Sequence, residues 1–199
     1  MPKRRNRQSE LSQLARELDM TYHAGEHNEL LMELRDFRTF SRGFSRRKKI
    51  RHMLRRQDGM LDYDLRIFDF HRLKGKRKRP ISQTVFYLRS KDLVLPEFWL
   101  RPETVLHKLG ELIGQEDIDF VRFPKFSGRY RLTGDDEVFI RHHFTEELLH
   151  FFSVEKGWYA EGVGYYLIFF QKGRLLSTKQ IKKLYAKGMY VYQELAKGT

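Results

Sequence analysis

The chain has 199 residues, with 39 Lys and Arg against 26 Asp and Glu, a formal net charge of +13. Aromatic residues make up 14% of the chain, which argues against disorder. Cysteine is absent, which excludes disulfides, thiolate metal sites and a cysteine nucleophile. No apolar run approaches the roughly 18 residues of a membrane helix and none follows the basic start as in a signal peptide, so we expect a cytoplasmic protein.

The first 40 residues predict two short helices behind a flexible basic start at residues 1–8. Ser9 is a helix cap, and leucine and alanine recur at helical spacing over residues 11–18. A break follows at residues 21–25. A second helix is expected over residues 26–36, because three leucines share one of its faces.

A hairpin signal follows at Asp58-Gly59, since this pair supplies the positive φ angles of a type I′ turn. A two-residue turn would place Arg55 opposite Asp62 and continue the register along both strands. A further strand over residues 82–89 completes the prediction of a three-stranded antiparallel meander.

The rest of the chain predicts helices and antiparallel strands in blocks. We expect a strand over 94–100, a helix that begins at Pro102 and runs over 105–113, and strands over 117–123 and 127–133. A capping box of Thr133 and Asp136 predicts a short helix, and Thr145 predicts the cap of another. A hairpin of 158–161 with 165–170 and a long last helix, with a capping box at Ser177 and Gln180, end the prediction. Blocks of this kind, rather than strict alternation, indicate a single α+β domain over residues 9–199.

The order of several motifs carries a family resemblance. They are Leu14-Ala15-Arg16-Glu17-Leu18, Ile67-Phe68-Asp69-Phe70, Arg89, Pro96 to Glu103, Asp117-Ile118-Asp119-Phe120, Phe126 to Asp136 and Gly157-Trp158. In this order the chain resembles a group of uncharacterised bacterial proteins with a domain of unknown function, whose members often carry an N-terminal membrane helix. That helix is not found in this sequence. The resemblance implies a bacterial protein and supplies no catalytic residues.

Most of the positive charge lies in the first 80 residues, which hold 22 Lys and Arg against 11 Asp and Glu. Two basic clusters flank the predicted meander, and the hairpin register brings them to the same end of it. We therefore predict an anion-binding face, because converging clusters attract polyanions more strongly than a protected strand edge requires. The predicted residues are Arg46, Arg47, Lys48, Lys49, Arg51, Lys74, Lys76, Arg77, Lys78 and Arg79.

The polyanion is either an anionic membrane surface, with the protein peripheral at the inner membrane, or nucleic acid. Phe40, Phe44, Phe68 and Phe70 could stack on bases, although a sheet must bury one face and these are core candidates. A protein–protein scaffold is the alternative. A metal-dependent enzyme acting on nucleic acid is a third reading, with Asp117, Asp119, Asp135 and Asp136 as ligands.

The sequence predicts no catalytic residue, metal or cofactor. His143, Glu147 and His150 have the spacing of one helical face, but Thr145 predicts a helix start between them. The phosphate-binding loops and the nucleophile motifs of common enzyme classes are absent from the sequence. The lysines of the last helix, at 179, 182, 183 and 187, indicate a solvated face or an extension of the anion-binding surface.

Overall fold

The computed structural model describes residues 2–41, 48–59, 63–72, 80–103 and 117–199. Its centre is an eight-stranded antiparallel sheet with the strand order β1-β2-β3-β4-β8-β7-β5-β6. The strands are β1 (Thr21–Glu26), β2 (Lys48–Asp58), β3 (Tyr63–Arg72), β4 (Ile81–Ser90), β5 (Leu95–Pro102), β6 (Tyr130–Gly134), β7 (Tyr159–Gly164) and β8 (Tyr166–Phe170). The α+β class is confirmed.

Helices pack on both faces of the sheet. They are α1 (Pro2–Glu17), α2 (Leu30–Glu33) with a 3₁₀ turn (Leu34–Asp36), α3 (Arg38–Ser41), α4 (Pro124–Ser127), α5 (Glu137–His143), α6 (Glu146–Val154) and α7 (Thr178–Ala196). Strands β2, β3 and β4 form the predicted meander, and β7 with β8 forms the predicted second hairpin. In the part of the chain that the structure describes, no helix is long and apolar enough to cross a membrane.

The two sheet faces bury separate cores. On the face that we call the helical face, α1, α6 and α7 cover residues such as Ile67, Phe86 and Leu100. On the outer face, residues 30–40 cover the half of the sheet that carries Phe68 and its neighbours on β4 and β8. Each buried side chain of this size contributes roughly 1.5–3 kcal/mol, so both layers stabilise the fold.

The predicted hairpin register is wrong. Arg55 pairs with Arg66 and Asp58 with Tyr63, so the connection between β2 and β3 is longer than two residues. The register also shifts between Arg51 and Leu54, where His52 has a φ of 55°. This bulge reverses the alternation of side chains along β2, because one extra residue moves the rest of a strand to the opposite face.

Helix α1 begins at Pro2 rather than at the predicted cap Ser9. Arg7, inside the segment predicted to be flexible, donates from Nε and Nη2 to the two carboxylate oxygens of Asp69 at 2.7 and 2.8 Å. Its Nη1 also donates to the carbonyl oxygen of Leu176. These bonds pair the buried carboxylate of Asp69 and attach the start of the chain to β3.

Other boundaries also differ from the sequence predictions. The predicted break at residues 21–25 is strand β1, and residues 117–123 form no strand. Pro102 ends β5 instead of opening a helix, and the helix predicted over 105–113 lies outside the described residues. Strand partners decide such short segments, because local propensity is weak beside tertiary packing.

Helix caps were predicted more accurately. Thr145 caps α6, and Ser177 with Gln180 forms the capping box of α7. The helix after β6 is capped by Asp136, whose carboxylate accepts from the backbone N–H of Phe139. Thr133, the predicted first member of that capping box, belongs instead to β6.

Candidate anion-binding site at one end of the sheet

The register of the meander brings together the strand ends next to both basic segments of the sequence. Lys48 at the start of β2 pairs with Arg72 at the end of β3, which in turn pairs with Ile81 at the start of β4. We call this the basic end of the sheet. Segment 42–47 joins the chain to β2 there, and segment 73–79 connects β3 to β4 at the same place.

Seven of the ten predicted anion-binding residues lie outside the described residues. They are Arg46, Arg47, Lys74, Lys76, Arg77, Lys78 and Arg79. Their role stays a prediction, and only Lys48, Lys49 and Arg51 can be placed with their contacts.

Lys48 points into the protein. Its side chain is buried, and its ammonium donates to the carbonyl oxygen of Phe40 at the end of α3. Burial lowers the pKa of Lys48, and the nearby charge of Arg72 lowers it further. Lys48 therefore fastens α3 to the sheet, and its ammonium is directed away from an anion in solution.

Lys49 and Arg51 share an intramolecular counterion. Nζ of Lys49 lies 2.9 Å from Oε1 of Glu26, and Nη2 of Arg51 lies 2.5 Å from the same atom. The hydrogen bonds from Arg51 and Lys49 lower the pKa of Glu26 to about 2. Glu26 is thus ionised over the physiological range and competes with any external anion for these two cations.

Sequence reasoning did not identify Glu26 as part of this site. It lies more than 20 residues before its partners and becomes their neighbour through the pairing of β1 with β2, in which Glu26 stands opposite Arg51. The sequence contained no signal for β1, so nothing pointed to this contact.

The aromatic candidates for base stacking are core residues. Phe40, Phe68 and Phe70 are all buried in the outer-face core, with the rings of Phe40 and Phe70 at 4.7 Å between centroids. Phe44 lies outside the described residues. The described part of the basic end therefore offers charge without a stacking platform.

Two of the acidic residues proposed as metal ligands, Asp117 and Asp136, have structural contacts of their own. Asp117 accepts a hydrogen bond from the backbone N–H of Leu132 at 2.9 Å, and this bond pairs one donor at the outer edge of β6. Burial raises the pKa of Asp117. Asp136 caps α5. Among the described residues, no group of three His, Asp or Glu side chains is arranged to hold a metal ion.

The histidine pattern is divided between two helices. Helix α5 ends at His143, and α6 begins after the cap Thr145, as the sequence predicted. The buried ring of His143 uses Nδ1 to bond the carbonyl oxygen of Phe139 at 2.9 Å. Glu147 and His150 are exposed on α6, so the three side chains do not share one helical face.

No family model and no curated protein matches this chain. A solved structure does match, that of the mycobacterial trehalose monomycolate transport factor A (TtfA), with a TM-score of 0.66 and 12% sequence identity. The match covers 98% of this chain and 94% of the other chain. At this identity the similarity establishes a shared fold.

Proposed function

We propose that this chain is a non-enzymatic binding module that contacts a polyanion at the basic end of its sheet. The pairing of Lys48, Arg72 and Ile81 carries this proposal, because it joins segments 42–47 and 73–79 to adjacent strand ends. The two segments contain eight basic residues and no acidic one. Eight basic residues in two segments joined to neighbouring strand ends favour attraction of a polyanion over simple solubility.

The polyanion that we propose is the anionic surface of a membrane. A lipid surface attracts Lys and Arg by charge alone, at about 1 kcal/mol for each residue near it. Single-stranded nucleic acid would also require exposed aromatic rings for its bases, and Phe40, Phe68 and Phe70 are buried. The name of the structural neighbour, a transport factor, accords with an accessory rather than an enzymatic role.

A salt titration with three probes tests the proposal. The probes are vesicles with anionic lipid, single-stranded RNA and duplex DNA. We expect the vesicles to bind most tightly and their binding to weaken steeply with salt. The variant with K76E, R77E, K78E and R79E should lose this binding and keep its circular dichroism spectrum.

A charge-matched pair of variants controls for net charge. K76E with K78E changes segment 73–79, and K179E with K183E makes the same change on the exposed face of α7. Only the first pair should weaken vesicle binding. Equal losses would assign binding to overall charge or to a surface extended over α7. Tighter binding to RNA or DNA than to vesicles would show that the partner is a nucleic acid and not a membrane. Weak, equal binding to all three probes would indicate a protein partner instead.

A further inference from the structure

His71 is the next-to-last residue of β3, at the basic end of the sheet. Ile67 on the same strand belongs to the helical-face core and Phe70 to the outer-face core, so the alternation of side chains places His71 on the helical face. In the register, His71 stands opposite Lys49 on β2 and opposite Ser82 on β4. A titratable ring therefore lies beside one of the described cations of the candidate site.

The ring of His71 is held by one hydrogen bond across the strand pair. Its Nδ1 lies 2.8 Å from Oγ of Ser82. A serine hydroxyl can either donate or accept, so this bond is compatible with the neutral ring and with the imidazolium. The side chain is partly exposed, and a proton can reach it from solvent.

Charged groups face this ring from three elements: Asp69 from its own strand, Arg51 and His52 from β2, and Arg7 from α1. Burial lowers the pKa of His71, and the negative charge of Asp69 opposes this effect. The positive charges of Arg51 and Arg7, with His52 when it is protonated, lower the pKa further. The free protein therefore favours the neutral ring at neutral pH.

The carboxylates near His71 already have cationic partners. Asp69 accepts hydrogen bonds from Arg7 with both of its oxygens. Glu26 forms ion pairs with Lys49 and Arg51. Negative charge that approaches from outside would offset the surrounding cations and favour the imidazolium form of the ring.

We propose that protonation of His71 tightens the binding of the basic end to an anionic membrane. This inference rests on the proposed function and adds its regulation by pH. A lipid surface near Lys49 brings negative charge close to the ring, so the bound state favours the imidazolium more than the free state does. Because binding and protonation are linked reciprocally, affinity for the membrane rises as the pH falls.

Vesicle co-sedimentation at about pH 7.5 and about pH 5, at constant salt, tests this inference. The vesicles consist of phosphatidylcholine with phosphatidylglycerol, whose phosphodiester stays ionised over this range. The wild type should bind more tightly at the lower pH. In H71N, the ratio of the two affinities should be about fivefold smaller, because one charge near the surface is worth about 1 kcal/mol. The other titratable groups are common to both proteins, so the ratio isolates His71.

Two further variants show whether the effect belongs to this position. H150N removes a histidine that is exposed on α6, and it should keep the ratio of the wild type. H71Q removes the same titration as H71N with a different side chain, and it should lose the same part of the gain. Equal ratios in the wild type, H71N, H71Q and H150N, with unchanged melting temperatures, would overturn the inference.

The pKa of His71 itself gives a second, direct measurement. NMR titration of the ring C–H signals, in the free protein and with bicelles that contain phosphatidylglycerol, should give a higher pKa in the bound state. Equal values would overturn the inference. Vesicle binding whose pH dependence H71N leaves intact would contradict the regulation alone, whereas no vesicle binding at either pH would contradict the proposed function as well.

Discussion

At the scale of single residues, Glu26 controls how much charge the basic end presents. Its carboxylate holds both Lys49 and Arg51. We expect E26Q to tighten binding to anionic vesicles by about fivefold, since it removes one negative charge beside Lys49 and Arg51, and one unit of charge near the surface is worth about 1 kcal/mol. Vesicle co-sedimentation at constant salt measures this change.

A distant ion pair supplies the control for E26Q. Glu137 contacts Arg141 at 2.7 Å on α5, and E137Q changes the net charge by the same amount. E137Q should leave vesicle affinity almost unchanged. If both variants tighten binding equally, net charge and not the release of Lys49 and Arg51 explains the gain.

Glu161 is the residue that should make stability depend on pH. Burial raises its pKa despite the hydrogen bonds from Thr39. A raised pKa in the folded state means that its stabilising contribution is present below the ordinary value of 4.5 and is lost as pH rises through the raised value. E161Q should therefore flatten the fall in the free energy of unfolding as the pH rises above 4.5.

Urea denaturation of the wild type and E161Q across this range measures the effect. Glu26 serves as the comparison of opposite sign, because its pKa is lowered to about 2. Its contribution is present above the ordinary value and is lost as pH falls towards 2, so E26Q should change the acid side of the profile. An E161Q profile parallel to that of the wild type would contradict the assignment to Glu161.

At the scale of elements, the contact between α7 and β4 depends on one glycine. A Cβ at Gly188 would lie 2.6 Å from Cδ2 of Phe86, whose ring is fully buried. Although alanine is the better helix former, we expect G188A to destabilise the protein by about 1–3 kcal/mol through overpacking. Thermal and urea unfolding measure the loss.

A second substitution isolates the cause of this loss. F86L removes the ring that the new methyl group meets, so the double variant G188A with F86L should lose less than the sum of the single variants. Strict additivity would show that G188A acts elsewhere on α7.

The sequence predicted correctly those elements whose signals lie within a single segment of the chain. Caps and amphipathic spacing identified α6 and α7, because Thr145 and Ser177 bond within their own helices. The register of β2 with β3 differs from the prediction because Asp58 pairs with Tyr63, so the connection is longer than the two-residue turn that Asp58-Gly59 indicates, and the bulge at His52 shifts it again. The bulge at His52 has no glycine to mark it, and its hydrogen bond to Tyr22 at 2.8 Å comes from another strand. A local pattern could not indicate such a feature.

At the scale of the whole molecule, the basic end of the sheet lies far from the strands β5 and β6. Five strand spacings separate β2 from β5, about 24 Å, which exceeds the screening length of about 10 Å at 0.1 M salt. The variant with K76E, R77E, K78E and R79E should therefore lose vesicle binding and keep the tryptophan emission spectrum of the wild type, because Trp99 lies on β5. A shifted emission spectrum in this variant would show that the substitutions disturb the distant half of the sheet.

Composition and local pattern alone determined the class of this protein: a cysteine-free α+β domain with its excess positive charge beside a predicted antiparallel meander. These properties follow from residue counts, helix caps and the alternation of side chains. Tertiary structure decided which cations are available and which are paired, because β1 places Glu26 beside Arg51 and α3 places the Phe40 carbonyl over Lys48. It also placed Arg101 opposite Arg131, since such partners are distant in sequence and meet only when strands pair.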